Sequence, residues 1–542
     1  MELVDILIAL TIACSLLVVY YHIKIFSFWK KRGIHGPTPW PIFGTNVYYL
    51  FGNKLDVDKR WRQKYGRTYG LFEGYSPLLR THEAELVKQI YIKDFHSFSE
   101  RNSQFVHGNN QRRWMLWSQS DIWSNQRALI SPMFTATKMR VAFATMSECV
   151  DRFIKHVGET VSTEPRKSFN KFDLSSLTLD VIASSFFGLK LDTYGLRSKS
   201  EEFVTAAFRF ADFDILRFIV WLFVPRQLAA KFKFDLVGIK KYQYFDSLSQ
   251  KIIEERRGKS DSKRSDVIQA LIEAKLPETY EKVFTSLDDK EAHYNASIDH
   301  QQMEDMQKQQ TKLATHFRSF SDIEIRGLMT FFFIAGFETT ASTIAFALHE
   351  IAHHPKIQEA ILAELRQAFG ENGERFDQDD PKKNYELLLD MKYLDAFISE
   401  LLRMYSPILE HSRKVTAESG VVLEIDGRKV SLPQGVPIST NGFILQRDPD
   451  YFESPDEFRV ERFFPENRNR IKSGAYMPFG LGPRYCVGSR FALLEVKCAM
   501  AKVLLRCQVL PHENGEYPPR FRQNPIFLQF HNTNFKLVPR QV

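Results

Sequence analysis

The stretch PFGLGPRYCVGSRFALLEVK, residues 478–497, carries the most specific pattern in the chain. Three glycines, Gly480, Gly482 and Gly488, surround the single Cys486, and an amphipathic helical pattern follows directly. Glycine permits close backbone approach and unusual dihedral angles, so amide groups can point at a sulfur atom, and a helix N-terminus favours its thiolate form. A nucleophilic thiol is the alternative, but that mechanism needs a histidine within reach, and the stretch contains none. The pattern therefore favours a thiolate that binds a metal cofactor.

A second unusual stretch lies in the middle of a long predicted helix. Ser321 and Glu324 form a capping-box pattern, and the apolar pattern that follows predicts a helix of about thirty residues that threads the core. In its middle, FFFIAGFETTAST, Gly336 lowers helix propensity, and Glu338 and Thr339 place polar groups among apolar ones. Threonine hydroxyls can bond back to the preceding turn and open the helix locally. An acid and a hydroxyl beside such a turn can deliver protons to a bound polar molecule.

The end of the same helix contains the HExxH box of zinc metalloproteases, His349, Glu350 and His353. The extended form of that box needs a glycine where Lys356 stands, and Pro355 ends the helix just before it. No convincing third ligand is found, so zinc is an outside alternative to histidines that face water at a helix end.

Taken together, these stretches resemble the cytochrome P450 superfamily, the haem-thiolate monooxygenases. FGLGPRYCVG matches every fixed position of the F-x-x-G-x-R-x-C-x-G haem-binding loop, and residues 335–340, AGFETT, resemble the oxygen-activation motif. Glu400 and Arg403 resemble the E-x-x-R pair, and with Arg462 they resemble the buried ion network that supports the haem loop. Val460 stands where the family usually has proline. The resemblance runs along nearly the whole chain and implies a mainly α fold with small β-sheets and a long central helix.

The resemblance also implies a set of site residues. Cys486 is expected to be the axial thiolate ligand of haem b, with Phe479 packed beside the sulfur. Thr339 and Glu338 are expected to be catalytic, through oxygen activation and proton relay. The residues expected to contact the haem propionates are Trp123, Arg127, Arg413 and Arg484.

The N-terminus predicts a membrane anchor. Residues 3–21, LVDILIALTIACSLLVVYY, are nearly all apolar and about long enough to cross a hydrocarbon core as a helix. Basic residues follow this span and acidic residues precede it, which keeps the rest of the protein cytoplasmic and disfavours a cleaved signal peptide. The predicted organisation is an anchor at 1–29 and a single catalytic domain at 30–542, with a polar, flexible insertion at 275–317.

Composition and short patterns narrow the function further. The net charge of +8 is scattered without a dense basic block, which argues against nucleic-acid binding. The five cysteines form no CxxC pair, so neither a disulfide framework nor a zinc ribbon is indicated.

Two extended runs, TYGLFEGY and SPLLRTH, predict strands, and VVLEIDGRKVSL predicts a hairpin that turns at Asp426 and Gly427.

The family resemblance implies partners and a location. Electrons from NADPH are expected through a membrane-bound flavoprotein, NADPH-cytochrome P450 reductase, with cytochrome b5 as a further partner, at the endoplasmic reticulum membrane. The substrate is expected to be lipophilic, a xenobiotic, steroid or fatty acid, in a pocket built around residues 101–122, 208–223 and 408–411. A relative that rearranges peroxides without reductase and a non-catalytic haem carrier or sensor are the alternatives. The intact Glu338 and Thr339 pair counts against the first of these.

Overall fold

The computed structural model of the protein describes residues 2–102, 113–191, 193–194, 201–211, 216–217, 231, 239–258, 267–273, 320–371, 373–378, 381–522 and 527–540. The predicted insertion at 275–317 lies outside these residues. Parts of two predicted pocket segments, 103–112 and most of 212–223, also lie outside them.

The protein is mainly helical, as predicted. Its described α-helices are α1 Glu2–Phe26, α2 Lys54–Tyr65, α3 Ala84–Lys88, α4 Ser120–Ile130, α5 Ala136–Thr163, α6 Lys171–Phe187, α7 Glu201–Ala211, α8 Ile239–Gly258, α9 Val267–Glu273, α10 Asp322–His353, α11 Pro355–Phe369, α12 Glu374–Gln378, α13 Pro381–Leu389, α14 Lys392–Tyr405, α15 Gly442–Leu445 and α16 Ser489–Arg506. Helix α10 packs along α6 and also contacts α8, α14 and α16, so it runs through the centre of the core.

Three small sheets accompany the helices in the described part of the chain. The strands are β1 Thr68–Glu73, β2 Ser76–Thr81, β3 Glu410–Lys414, β4 Val421–Ile425, β5 Arg428–Leu432, β6 Pro437–Asn441, β7 Cys507–Pro511 and β8 Phe535–Pro539. The largest sheet has the order β1-β2-β6-β3, in which only the β2 and β6 pair is parallel. The predicted hairpin is confirmed as β4 and β5, and its turn places Asp426 and Gly427 at φ 50° and 72°, the left-handed region such tight turns need.

The central helix begins and ends where the sequence predicts. The Ser321 amide and hydroxyl both donate to the Glu324 carboxylate, at 3.0 and 2.7 Å, and close the capping box. The Thr339 hydroxyl donates to the carbonyl of Ala335 and the Thr343 hydroxyl to that of Thr339, both at 2.9 Å. These back-bonds are the predicted ones, yet the expected local opening is absent, because α10 is continuous from Asp322 to His353.

Helix α1 covers the predicted membrane span. A search of the described residues for helices long and apolar enough to cross a membrane finds α10, whose residues are mostly buried inside the protein. A buried core helix passes that test by composition alone, so the N-terminal anchor is not confirmed and stays a prediction.

The HExxH box ends α10 beneath the C-terminal loop. His349 is fully buried and its Nε2 lies 3.1 Å from the carbonyl oxygen of Glu516, while His353 stacks on Tyr517 with ring centroids 4.5 Å apart. The expectation that His349 faces water is therefore wrong, because this loop covers it, and burial lowers its pKa to about 4. Within the described part of the chain, no group of three or more potential ligands could hold a metal ion.

Candidate active site

The cysteine loop, residues 478–488, is a tight turn built on glycine. Gly480 and Gly482 adopt φ of 78° and 73°, and a Cβ atom on Gly482 would lie 1.6 Å from the carbonyl oxygen of Tyr91. The loop closes where the Cys486 amide donates to the carbonyl of Phe479 at 2.9 Å. Only glycine at position 482 allows the loop to lie directly on the backbone at Tyr91.

Cys486 is exposed, whereas Cys149, Cys498 and Cys507 are buried. Protein nevertheless surrounds the sulfur, because burial is the largest influence on its pKa and raises it. The Gly488 amide and the charges of Arg127 and Arg101 act in the opposite direction but do not prevail. The sequence predicts that the helix N-terminus favours the thiolate, but in the protein without a bound metal burial of the sulfur has the larger effect and favours the thiol. Because the sulfur is both accessible and surrounded by protein, it lies on an internal cleft.

Four arginines converge on the cysteine loop. They donate hydrogen bonds to backbone carbonyls in or beside it: Arg101 to Arg484 (2.6 Å), Arg127 to Tyr485 (2.9 Å), Arg413 to Leu481 (2.9 Å) and Arg484 to Ser118 (3.0 Å). An aromatic ring lies against three of the guanidinium groups, with ring-centroid distances of 4.4 to 4.5 Å: Tyr485 at Arg127, Tyr91 at Arg413 and Trp123 at Arg484. The predicted residues Trp123, Arg127, Arg413 and Arg484 are therefore brought together around Cys486.

These arginines have no carboxylate partner among the described residues. Glu100, whose charge acts on Arg484, pairs with Lys414 at 2.5 Å instead. The Nε atoms of Arg127, Arg413 and Arg484, and Nη1 of Arg484, are buried without a hydrogen-bond partner. A buried cation without a counter-charge is unfavourable, so the cluster is incomplete as it stands.

The lowered pKa values of three of these arginines show that their positive charges are unfavourable in this cluster. Burial, followed by repulsion from Arg101, lowers the pKa of Arg413 to about 9. Burial lowers the pKa of Arg101 to about 10, and burial with repulsion from Arg101 and Arg413 lowers that of Arg484 as well. The cluster is therefore a preformed site for an anion.

A stripe of α10 is open in the middle of the core. Ala335, Gly336 and Thr339 are partly exposed, while Phe337 and Glu338 are buried. Gly336 also allows close helix packing, since a Cβ atom there would lie 2.5 Å from the Cδ1 atom of Ile182 on α6. The predicted catalytic Thr339 thus faces a cleft, and no described side-chain contact joins it to the cysteine loop.

Glu338 sits beside Thr339 but is held by two partners. Its Oε1 atom forms an ion pair with Lys171 and accepts a hydrogen bond from Gln529 Nε2 at 3.2 Å. The Glu338 side chain is only 5% exposed and that of Lys171 is 18% exposed. The carboxylate therefore lies between the core and a partly solvated ammonium group.

The E-x-x-R pair, Glu400 and Arg403, forms a buried ion network with Arg462. Arg403 donates to Glu400 through Nε (2.7 Å) and Nη2 (2.8 Å), and Arg462 donates to the same carboxylate at 3.2 Å. The side chains of Glu400 and Arg403 are completely buried. The segment that carries Arg462 forms a 3₁₀ turn, Val460–Phe463, so valine in place of proline leaves the predicted network intact.

Sequence comparison accounts for this arrangement. The sequence profile of the family described as cytochrome P450 matches residues 34–299 and 295–537. The chain is a cytochrome P450. It is 29% identical over 538 residues to cytochrome P450 3A11 of Mus musculus, which covers 98% of this chain and 96% of that protein. It is 28% identical over 551 residues to cytochrome P450 3A1 of Rattus norvegicus, which covers 99% of this chain and 98% of that protein.

A third similar protein is named for a reaction. The lithocholate 6-beta-hydroxylase of Mesocricetus auratus is 29% identical over 535 residues, which covers 96% of this chain and 95% of that protein. Membership of the family and similarity to the 3A group identify this P450 as a haem monooxygenase that oxidises lipophilic substrates, with a cysteine thiolate as the haem ligand.

The residues of this P450 fit that cofactor. Haem carries two carboxylates and needs one axial thiolate from the protein. The cluster offers three buried arginines, Arg127, Arg413 and Arg484, and the partly exposed Arg101, all without acids among the described residues, and planar guanidinium groups pair well with carboxylates. Cys486 offers the accessible sulfur. The unpartnered N–H groups of the arginines therefore suit the two carboxylates of haem, and the accessible sulfur of Cys486 suits its iron.

Three residues of this site were not predicted from the sequence as individual contacts. Arg101 lies in a segment expected to line the substrate pocket, yet it contacts the cysteine loop. Lys171 and Gln529 lie 167 and 191 residues from their partner Glu338. None of the three belongs to a short motif, so only the tertiary fold reveals them.

Proposed function

We propose that this P450 inserts one oxygen atom from dioxygen into a lipophilic substrate, with electrons that pass from NADPH through a separate flavoprotein reductase. The observation that carries the proposal is the cluster of buried arginines without counter-charges beside an accessible cysteine. When bound, haem supplies the activation of dioxygen, and thiolate ligation favours cleavage of the oxygen–oxygen bond.

The protein holds the cofactor at two ends. Cys486 would provide the thiolate ligand of the haem, as the thiolate and not the thiol binds a metal. Phe479 is partly buried next to the closing hydrogen bond of the loop, where its ring limits water at the sulfur. Trp123, Arg127, Arg413 and Arg484, together with Arg101, would hold the carboxylates of the cofactor.

Proton delivery is assigned to the acid and alcohol pair on α10. The Glu338 carboxylate, bonded at Oε1 to Lys171 and Gln529, connects a partly solvated group with the interior. The Thr339 hydroxyl is bonded to the carbonyl of Ala335 within its own helix and lies on the partly exposed stripe. Glu338 therefore provides an acid that reaches the partly solvated Lys171, and Thr339 provides a hydroxyl on the partly exposed stripe; together these two groups would deliver protons to the cleft.

The substrate class is proposed as steroids, xenobiotics or fatty acids. A similar protein is named for the hydroxylation of lithocholate, a steroid acid. About one turn before the open stripe, Phe331 and Ile334 of α10 form an apolar wall with Trp114, Trp117 and Phe210. Such a wall favours lipophilic molecules over charged ones.

The location is proposed as the endoplasmic reticulum membrane. Residues 1–29 form the anchor, and the catalytic domain at 30–542 faces the cytoplasm, where the reductase and cytochrome b5 would dock. In support, Ile8, Ile12 and Leu16 on α1 are exposed apolar side chains with exposures of 53%, 55% and 65%. A helix that exposes such residues needs an apolar environment.

The proposal is tested by spectroscopy followed by turnover. Purified protein, reduced and exposed to carbon monoxide, should show the strongly red-shifted Soret band of a haem-thiolate, with about one iron and no zinc per chain. Cys486→Ser should abolish that band, whereas Cys498→Ser, at a buried cysteine on α16, should keep it. Added reductase and NADPH should then oxidise a steroid or another lipophilic compound. Haem without oxidation of any such compound would support the sensor alternative, and turnover driven by peroxide alone would support the rearrangement alternative.

A further inference from the structure

Glu338, Phe346, His349 and His353 lie on one face of α10, because successive members of this set are eight, three and four residues apart. Each of the four side chains contacts the same distant segment of the chain, near the C-terminus. At the helical rise, the strip from Glu338 to His353 is about 22 Å long. One segment therefore connects the acid in the middle of α10 with the HExxH box at its end.

That segment is the C-terminal hairpin, residues 516–522 and 527–533. Its two arms run antiparallel, and the Arg522 amide of the first arm donates to the carbonyl of Gln529 on the second at 2.7 Å. The first arm begins at the HExxH box, and the second arm reaches the acid. Because hydrogen bonding joins the arms, a change in the position of the first is expected to displace the second.

Tyr517 holds the first arm at the end of α10. Its hydroxyl donates to Glu350 Oε1 at 3.0 Å, and its ring stacks on that of His353 with centroids 4.5 Å apart. Burial and the nearby charge of Glu350 raise the pKa of Tyr517, so the hydroxyl keeps its proton and remains the donor. His349 adds a bond from its Nε2 atom to the carbonyl oxygen of Glu516 at 3.1 Å. Three residues of the HExxH box thus hold two consecutive residues of the hairpin.

Gln529 holds the second arm against the acid. Its Nε2 atom donates to Glu338 Oε1 at 3.2 Å, and the same oxygen forms the ion pair with Lys171. Between the two ends, Phe530 stacks on Phe346 with ring centroids 4.1 Å apart. Two donors on one oxygen fix the direction in which the carboxyl group points, because hydrogen bonds to such an oxygen are directional. The position of the hairpin therefore bears on the orientation of the Glu338 carboxyl group.

We propose that the HExxH box is a clasp that positions the C-terminal hairpin for proton delivery by Glu338. Tyr517 is the positioning residue that the clasp holds, through Glu350 and His353, and Gln529 is the residue through which the hairpin orients the acid. The inference rests on the proposed function, because it needs Glu338 as a proton donor. It gives the HExxH box a role that involves no metal.

The test measures product formation and hydrogen peroxide release by the holoprotein with reductase and NADPH. The substrate is the steroid or other lipophilic compound that the unaltered protein oxidises fastest. Gln529→Leu should slow product formation by about tenfold, the factor that corresponds to one hydrogen bond to a charged group, and more of the NADPH consumed should end as peroxide. Tyr517→Ala should slow it by about threefold, because a displaced hairpin weakens that bond without removing the donor. The solvent isotope effect on product formation should rise in both variants.

The double variant shows whether the two residues act through one another. Tyr517→Ala combined with Gln529→Leu should be no slower than Gln529→Leu alone, because both changes break the same bond to Glu338. Hydrogen exchange of the backbone amides at 516–522 and 527–533 should be faster in Tyr517→Ala, which would show that the hairpin has moved.

Tyr451 provides a matched control. Its hydroxyl donates to Glu83 Oε1 at 3.0 Å, the same kind of bond at the same distance as that from Tyr517 to Glu350, but away from the C-terminal hairpin. Tyr451→Ala should leave product formation, the isotope effect and amide exchange of the hairpin unchanged. A general loss of stability would affect both tyrosine variants alike, whereas loss of positioning affects Tyr517→Ala.

Two results would overturn the inference. One is product formation by Tyr517→Ala at the rate of the unaltered protein. The other is a double variant in which the two slowing factors multiply, since Tyr517 would then act independently of Gln529. If Tyr517→Ala does not fold, Tyr517→Phe and Tyr451→Phe, which keep the rings and lose the hydroxyls, take the place of the alanine pair. An unchanged rate in Glu338→Gln would instead contradict proton delivery by Glu338, so failure of the proposed function is distinguishable from failure of the clasp.

Discussion

Replacing Arg413 with methionine should have opposite effects on the haem-free and haem-bound forms of this P450. In the haem-free protein the Arg413 guanidinium is buried, repelled by Arg101 and without an acid. Methionine has a similar length and no charge, so Arg413→Met removes that unfavourable charge. In the holoprotein the same change removes a partner of the cofactor carboxylates, so haem binding should weaken.

The size of the first effect follows from the pKa of Arg413. The shift from 12.5 to about 9 corresponds to roughly 5 kcal/mol at 1.36 kcal/mol per pKa unit, as an upper value. A cation whose folded-state pKa lies below its unfolded value destabilises the fold at every pH below both values, and the cost falls as pH rises through 9. The hydrogen bonds of Arg413 to the carbonyls of Ser412 and Leu481, about 1 kcal/mol each, are lost. The haem-free variant should therefore be about 3 kcal/mol more stable at pH 7.

Urea unfolding of the haem-free protein and haem release from the holoprotein measure the two effects. Arg403→Met is the matched control, since Arg403 is equally buried but is paired with Glu400 through two hydrogen bonds. Breaking that pair should destabilise the haem-free protein by about 3–5 kcal/mol. Haem release from Arg413→Met should be about tenfold to hundredfold faster. If Arg413→Met destabilises the haem-free protein as Arg403→Met does, the reasoning about unpaired arginines is refuted.

Three further predictions concern separate parts of the molecule. Gly482→Ala should strongly reduce the amount of folded holoprotein, because its Cβ atom would overlap the carbonyl of Tyr91. Gly427→Ala has a similar φ but lies in open space, so it should lower the free energy of unfolding by only about 1 kcal/mol. Thermal unfolding of the two variants measures this difference in stability. Asp58→Asn should lower the free energy of unfolding in urea by about 2 kcal/mol at pH 7, because the fold lowers the pKa of Asp58 to about 2. The stability difference between the variant and the unaltered protein should shrink as the pH falls from the unfolded-state pKa, about 4, to the folded-state pKa, about 2. Glu338→Gln should keep the haem-thiolate spectrum but slow product formation by about a hundredfold and increase the solvent isotope effect on that rate. An unchanged rate of product formation would exclude Glu338 as a proton donor.

Local patterns predicted the parts of the fold that local interactions determine. The capping box of Ser321 and Glu324 marks the start of α10, and Asp426 with Gly427 marks the β4 and β5 turn, because each depends on residues within a few positions. The ion network of Glu400 was also predicted, although its contact with Arg462 spans 62 residues. In that case the family resemblance supplied the long-range pairing that spacing alone could not.

The errors at the end of α10 have a tertiary cause. His349 stands at a helix end, where a side chain would normally reach water, but the C-terminal loop brings Glu516 and Tyr517 over it. Position in the helix predicts exposure only when no distant segment covers that end. The contact of Arg101 with the cysteine loop was missed for the same reason, since it depends on the packing of two distant loops and no short motif predicts it.

The charge pattern of the core distinguishes structural arginines from those held for a ligand. Arg403 and Arg80 are fully buried and each lies beside acids, Glu400 for the first and Glu410 for the second. Arg413 and Arg484 are equally buried, but no described carboxylate neutralises them. Stability alone favours the paired arrangement, because an uncompensated buried charge destabilises the fold by several kcal/mol. The unpaired arginines therefore lower the stability of the haem-free chain, and the same free energy strengthens the binding of a dianionic cofactor, so folding and haem binding should be thermodynamically linked.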